Sequence, residues 1–233
     1  MLAIFKREFK AFFTTPVAYI ILTAFYLFSG WRFSLYYGAG YPAIENIIME
    51  LSIIIVFVTP LLTMRLMSEE RRQKTDQALL TAPVTLFGIV FGKFLASLCV
   101  YALGFLPTII FQIIVMSLVE INILPFIYAL FGAILLGAAL IAIGMFISSL
   151  TESSVVSAIL NFVINILIIY SSSLVSSVSI SWIVAAVEKI AFVNAFNNFG
   201  STVFSIPDVF YFISITAAFL FLSVRSLEKR RWS

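Results

Sequence analysis

The chain has 233 residues, 62% of them apolar and 11% charged, with a formal net charge of +3, one cysteine and no histidine. A soluble domain is typically about 45–50% apolar and about 25% charged, because it must cover its core with polar surface. The composition excludes a water-soluble globule, the single Cys99 excludes an intrachain disulfide, and the missing histidine removes the commonest general base and metal ligand.

Residues 1–15 read as an amphipathic helix lying in a membrane interface. Leu2, Phe5, Phe9, Phe12 and Phe13 recur at helical spacing with Lys6, Arg7 and Lys10 between them. A signal peptide does not fit, because the apolar stretch that follows is too long and carries no small-residue cleavage site. Pro16 breaks this helix from the first of six segments that meet or approach the roughly 20 apolar residues a bilayer crossing needs. They run from about Val17 to Tyr37, Ile44 to Met64, Phe87 to Leu118, Leu124 to Ile147, Val155 to Leu174 and Pro207 to Val224. Pro107 predicts a kink or an early end in the third. Pro207 suits the first turn of the sixth, with Ser205 or Ser201 near enough to cap it. Helices leave no backbone polar group unpaired in lipid, and no alternating ten-residue pattern argues for a barrel.

Between the fifth and sixth segments, residues 175–206 are moderately apolar. A seventh crossing over 179–198 would place Glu188 and Lys189 in mid-bilayer, at about 2.5–3.5 kcal/mol each. It would also carry the C-terminal basic cluster to the other side. One or two short helices at the outer interface are expected instead. Twelve of the fourteen basic residues then share one side: Lys6, Arg7 and Lys10; Arg65, Arg71, Arg72, Lys74 and Lys93; Arg225, Lys229, Arg230 and Arg231. The positive-inside rule makes that side, with both termini, cytoplasmic. The expected fold is a single all-α integral membrane domain over residues 1–233. It has six transmembrane helices, an N-terminal interfacial helix, a cytoplasmic coupling helix and short outer interfacial helices before the last span.

The densest polar stretch is "SEERRQKTDQALLTAP", residues 68–83. Ser68 is placed to cap a helix whose first turn holds Glu69 and Glu70, and Glu70 and Lys74 form an i,i+4 pair in the better order. Leu79 and Leu80 add an apolar patch before Pro83. A solvated connector would need only the polarity, and has little use for the two leucines.

The run "TMRLMSEERRQKTDQALLTAPVTLFGIVFGKFLA" resembles the first cytoplasmic loop of ABC-2 type transporter permeases. Glu69, Glu70, Arg71, Thr75, Leu79, Leu80, Pro83, Gly92 and Lys93 match that pattern, while Lys74 stands where glycine is usual and Gln77 where glutamate is usual. The opening "MLAIFKREFKAFFTTPVAYI" and the closing segment, with Asp208 and Arg230-Arg231-Trp232, resemble the gliding-motility-type branch. The resemblance implies the transmembrane subunit of an ATP-driven exporter in a bacterial cytoplasmic membrane. It implies a second permease chain, identical or related, and separate ABC ATPase subunits. The coupling loop (Glu69, Glu70, Arg71, Thr75, Asp76, Leu79, Leu80 and Pro83) would dock those subunits. ATP and Mg would be used by the ATPase, with no cofactor bound by this chain. The sequence holds no G-x-x-x-x-G-K-[ST] phosphate loop, so the nucleotide site is not its own. Membrane lipid is the other expected partner, and nucleic acid is not expected.

Within the spans, Ser154, Ser157, Asn161 and Asn165 mark one face of the fifth. That face reads either as ordinary interhelical hydrogen bonding or as a transport path or dimer seam carried by Ser157, Asn161 and Asn165. Ala133, Gly137 and Gly144 on the fourth permit close helix packing. Arg32, Glu45 and Glu50 sit near the outer ends of their spans, within reach of the interface by snorkelling. Two rival functions remain. A membrane enzyme would need clustered acids, histidine or cysteine, and a scaffold without transport would bind a partner without ATP-dependent activity.

Overall fold

The computed structural model describes residues 1–40, 43–72, 85–171, 191–200 and 205–231, and these are helices joined by short turns, with no strand among the described residues. Helix α1 (Leu2–Thr14) ends at Thr15, whose extended backbone is the conformation a following proline imposes. Pro16 then occupies the first turn of α2 (Pro16–Gly38), where its missing N–H costs nothing. The Thr15 hydroxyl donates to Ala11 O at 3.1 Å, satisfying a carbonyl at the end of α1.

The second expected span is two helices, α3 (Ile44–Glu50) and α4 (Ser52–Thr63), separated at Leu51 without loss of direction: Leu51 N still bonds Ile47 O and Ile55 N bonds Leu51 O. After a four-residue turn comes the short α5 (Ser68–Arg72). The third span divides into α6 (Leu86–Leu103) and α7 (Leu106–Leu118). The break at Gly104 and Phe105 lies just before Pro107, whose ring would strike the carbonyl one turn back in a continuous helix. A side chain at Gly104 would meet the Phe25 ring at 2.8 Å, so the bend is also where α2 comes closest.

Helix α8 (Leu124–Leu150) is the axis of the bundle. It packs against α3, α4, α6, α9 (Ser154–Ile169), α10 (Phe192–Phe199) and α11 (Ile206–Arg231), most extensively against the last. That explains its sequence. From Leu136 to Ser149 nearly every residue is buried, so the helix has no polar face there, and it needs small residues wherever a neighbour crosses closely. Gly132 faces Phe199 of α10, Gly137 lies under the Tyr101 ring of α6, and Gly144 faces Thr63 of α4 and Asn161 of α9. The Tyr101 hydroxyl donates to Ala133 O at 2.8 Å, giving the buried phenol its partner. Tyr101 also closes an edge-to-face triad with Phe25 and Phe105, ring centres 5.3–5.8 Å apart.

Among the described residues, five helical stretches are long and apolar enough to cross a membrane: Pro16–Gly38, Ser52–Arg72, Leu86–Leu118, Leu124–Leu150 and Ile206–Lys229. Ser154–Ile169 is apolar but shorter. It falls on the expected fifth span, whose last residues lie outside those described. Most of residues 175–206 also lies outside them. The described part includes α10, a single two-turn helix that buries Phe192, Ala195, Phe196 and Phe199 against α8, α9 and α11. Asn198 Nδ2 donates to Asp208 Oδ2 at 2.8 Å, tying α10 to the first turn of α11, where an acidic side chain also suits the helix dipole.

Candidate functional site

The expected coupling cassette begins at a break in the second span, and the break is held by side chains from two other helices. Between α4 and α5 the turn at Met64–Met67 interrupts the i→i−4 ladder. The N–H groups of Met67 and Ser68 donate instead to Ser148 Oγ, at 3.2 and 3.1 Å, and that hydroxyl donates to Met64 O at 3.3 Å. One donor and two acceptor sites are all a serine hydroxyl has. Ser148 is fully buried, so this is an α8 side chain mending the backbone of the second span.

Leu66 O, in the same turn, accepts from Lys93 Nζ at 2.6 Å. The Lys93 side chain is 1% exposed, and its ammonium also reaches Glu70 Oε1 at 2.8 Å and Glu8 Oε1 at 3.3 Å. Three N–H groups meet three acceptors, as a buried ammonium requires. Arg7 closes the cluster, with Nη2 2.7 Å from Glu70 Oε1 and a bond to neighbouring Glu8. Two cations and two carboxylates thus join α1, α5 and α6 with no net charge. Burial works against the Arg7 charge, but the hydrogen bond to Glu8 and the charges of Glu8 and Glu70 outweigh it and raise its pKa above the ordinary arginine value.

On the other flank of α5, Arg71 bridges to the turn between α8 and α9. It is 2.6 Å from Glu152 Oε1 and donates to Leu150 O at 3.0 Å, a cation on the last carbonyl of a helix. Glu69 lies 3.6 Å from Arg65 and 3.8 Å from Arg72. Arg71, Arg225 and Lys229 line one depression, which places the end of α11 beside the cassette. Arg7, Arg71, Lys93, Arg225 and Lys229 are thus placed at one end of the described bundle.

Two expectations for the cassette change, and a third reaches outside the described residues. Ser68 does not cap α5, because its hydroxyl donates back to Met64 O. Glu70 is engaged with Lys93 and Arg7; the partner expected from sequence, Lys74, lies outside the described residues. Glu70 and Arg71 are turned into the protein and fasten α5 to it. Thr75, Asp76, Leu79, Leu80 and Pro83 also lie outside the described residues.

The polar face of the fifth span is placed inside the protomer. Asn161 Nδ2 donates to Thr63 Oγ1 at 2.8 Å and Asn165 Nδ2 to Thr59 Oγ1 at 2.7 Å. The four-residue spacing on α9 meets the same spacing on antiparallel α4, so the two bonds fix one register. Ser157, Asn161 and Asn165 are each fully buried. The interhelical reading describes this face, and as placed it presents none of the three to a second chain. An interhelical bond in a membrane contributes about 0.6 kcal/mol on average. Asn165 Oδ1 is buried without a partner, so substitution also removes an unsatisfied acceptor. Asn165→Leu is therefore expected to change stability by less than about 1 kcal/mol, read as a small shift in thermal unfolding of the detergent-solubilised chain.

At the far end, Arg32 and Glu50 do not snorkel apart. They form an ion pair, and Tyr36 OH donates to Glu50 Oε1 at 2.8 Å. The Arg32 guanidinium lies 5.0 Å from the Tyr36 ring centre. Sequence reading took these charges one at a time. Their spacing along two adjacent spans, each a few residues in from the same end, was the signal that they meet.

Sequence reading also missed Glu8, Arg7 and Ser148 as partners. Lys93 offered the clue, because a lysine two turns inside an apolar span needs an acceptor for each N–H.

Residues 5–168 match the profile of a family described as ABC-2 family transporter protein. The chain belongs to the ABC-2 family of transporter proteins. It is thus a multi-pass membrane permease, and the matched region takes in α1, the cassette, Lys93, Ser148 and the polar face of α9. The closing segment, on which the branch resemblance partly rests, lies beyond the match. No curated protein matches the chain.

Proposed function

We propose that this ABC-2 permease is the transmembrane half of an ATP-driven exporter, worked by separate ATPase subunits that dock on the cassette at residues 68–83. Permeases of this family in general operate with ABC ATPases, and the chain carries no phosphate loop of its own. The observation that carries the reading is the fastening of α5. A docking element transmits force only if it is fixed to what must move. Lys93, Arg7, Ser148 and Arg71 fix α5 to α6, α1, α8 and the α8–α9 turn. Glu70 and Arg71 belong to that fastening. Leu79 and Leu80 form the apolar anchor on the ATPase, with Glu69 at its polar rim and Thr75, Asp76 and Pro83 shaping the loop. A second permease chain completes the transporter.

The reading requires the basic end, with both termini, to face the cytoplasm. In a Cys99→Ser background, a cysteine at Gln73 should resist an impermeant thiol reagent applied from outside, and one at Asn198 should react. Labelling of position 73 with sparing of 198 would put the cassette where no ATPase can reach it and end the proposal.

A further inference from the structure

Helices α9 and α11 pack on α8 from two sides, and the seam between them is an apolar groove of about 310 Å³. It lies over Ile143 and Ile147 of α8, with Leu160, Ile164 and Ile168 of α9 on one side and Phe219 of α11 on the other. The three α9 residues recur every four positions, beside the buried row of Ser157, Asn161 and Asn165. Thr151, the one polar side chain lining the groove, donates its hydroxyl to Ile147 O at 3.4 Å. From Leu160 to Ile168 the helix rises about 12 Å, close to the roughly 15 Å of one hydrocarbon leaflet.

The groove does not end blindly. Phe146 and Leu150 line both it and the depression of about 480 Å³ that holds Arg71, Arg225 and Lys229. One continuous surface therefore runs from an apolar seam in the spans to a basic pocket at their end.

The charges narrow the occupant. Glu152 pairs with Arg71 and Glu228 with Arg225, while Lys229 has no ion pair among the described residues. The depression is thus positive by one charge after its carboxylates are counted. The cluster of Lys93, Arg7, Glu8 and Glu70 is neutral, and Arg65, Glu69 and Arg72, with Lys6 and Lys10 on α1, only make that end more positive. Arg225 bonds Glu228 through Nη1, so the rest of its fork and the three N–H groups of Lys229 are donors for a phosphate. A zwitterionic headgroup would bring an ammonium into this field, whereas an anionic one brings negative charge alone. A second copy seated on the seam by two-fold symmetry would set its own Arg225 and Lys229 against these, like charge to like.

We infer that this surface binds an anionic phospholipid, its phosphate on Arg225 and Lys229 and an acyl chain laid along the seam between α9 and α11. The inference rests on membership in a membrane permease family and not on the ATPase reading, so it survives if no ATPase docks.

The test reconstitutes the full chain in vesicles of equal phosphatidylglycerol and phosphatidylethanolamine, extracts it gently, and weighs it with its retained lipid by native mass spectrometry. Phosphatidylglycerol is expected to be retained about tenfold over phosphatidylethanolamine, as a basic pocket at the membrane surface favours an anionic headgroup. Arg225→Gln with Lys229→Gln should bring the two lipids to parity. Leu160→Trp, which fills the seam from its exposed wall and leaves the cations in place, should lower phosphatidylglycerol retention severalfold. All of these side chains are exposed, so an unchanged unfolding midpoint separates loss of the site from loss of the fold. Parity or a preference for phosphatidylethanolamine in the wild type, or phosphatidylglycerol retention unchanged in either variant, would overturn the assignment. So would a lipid-free dimer that Leu160→Trp splits into single chains, which would give the seam to a second copy.

Discussion

Lys93→Met is expected to lower the thermal unfolding midpoint of the solubilised permease further than any other substitution named here. Methionine fits the stem but leaves Leu66 O without its donor, and leaves Glu8 and Glu70 in excess over Arg7, the cation they still share. Breaking a buried ion pair from one side costs about 3–5 kcal/mol, most of it the penalty of the charge left behind. The cause can be separated from simple loss of a contact. Adding Glu8→Gln to Lys93→Met removes the excess negative charge and leaves Glu70 its pair with Arg7, and should recover part of the lost midpoint. Unfolding of such a protein is commonly irreversible, so the variants are compared at one scan rate and read by their order. If the double variant melts no higher than Lys93→Met, the excess charge is not what makes Lys93 necessary.

Gly137→Ala should be the next most damaging. The added methyl would overlap the Tyr101 ring, which is fully buried and packed against Phe25, Phe105 and α8. Displacing the ring also breaks the hydroxyl's bond to Ala133 O. Overpacking of this kind costs about 1–3 kcal/mol, and the lost hydrogen bond adds to it. Gly30→Ala is the matched control. A side chain at Gly30 meets nothing within 4 Å, so that change should leave the midpoint unchanged or raise it. Equal effects of the two substitutions, measured as midpoint shifts in the same detergent, would mean that α6 and α8 do not cross where the structure puts them.

The sequence was informative wherever one residue type settles a local question. Pro16 and Pro107 mark helix ends, the basic residues mark one end of the bundle, and the small residues of α8 mark close crossings. Pairings across the bundle were harder to read. Periodicity gives the face of a helix but not the neighbour it meets, so Ser157, Asn161 and Asn165 were recognisable as one face before Thr59 and Thr63 were known to meet it. The same limit hid the clasp. Nothing near Ser148 in sequence says that its hydroxyl replaces a missing turn of α4, eighty residues earlier, and Glu8 is as ordinary in an interfacial helix as Lys6. A local reading gave Glu70 an i,i+4 partner, and could not add the buried ammonium of Lys93 and Arg7, which come from other helices. Arg32 and Glu50 each lie close enough to an interface to reach it by snorkelling, so neither alone points to the other.

The central claim is that the cassette is a docking element fastened at one end to the bundle and presented at the other to an ATPase. The most direct measurement is retention of the ATPase subunit on affinity-purified permease carrying Leu79→Ala with Leu80→Ala, compared with Glu69→Ala. Two leucines buried at an interface contribute about 1.5–3 kcal/mol each, against about 0–1 kcal/mol for an exposed rim charge. Glu69 is the proper comparator, since Glu70 holds Lys93 and its loss would act through stability. The account predicts that the leucine variant inserts and purifies at wild-type yield but loses the ATPase, while Glu69→Ala retains most of it. A leucine variant that retains the ATPase as fully as the wild type, with ATP hydrolysis and transport unchanged, would contradict it and leave residues 68–83 as a connector.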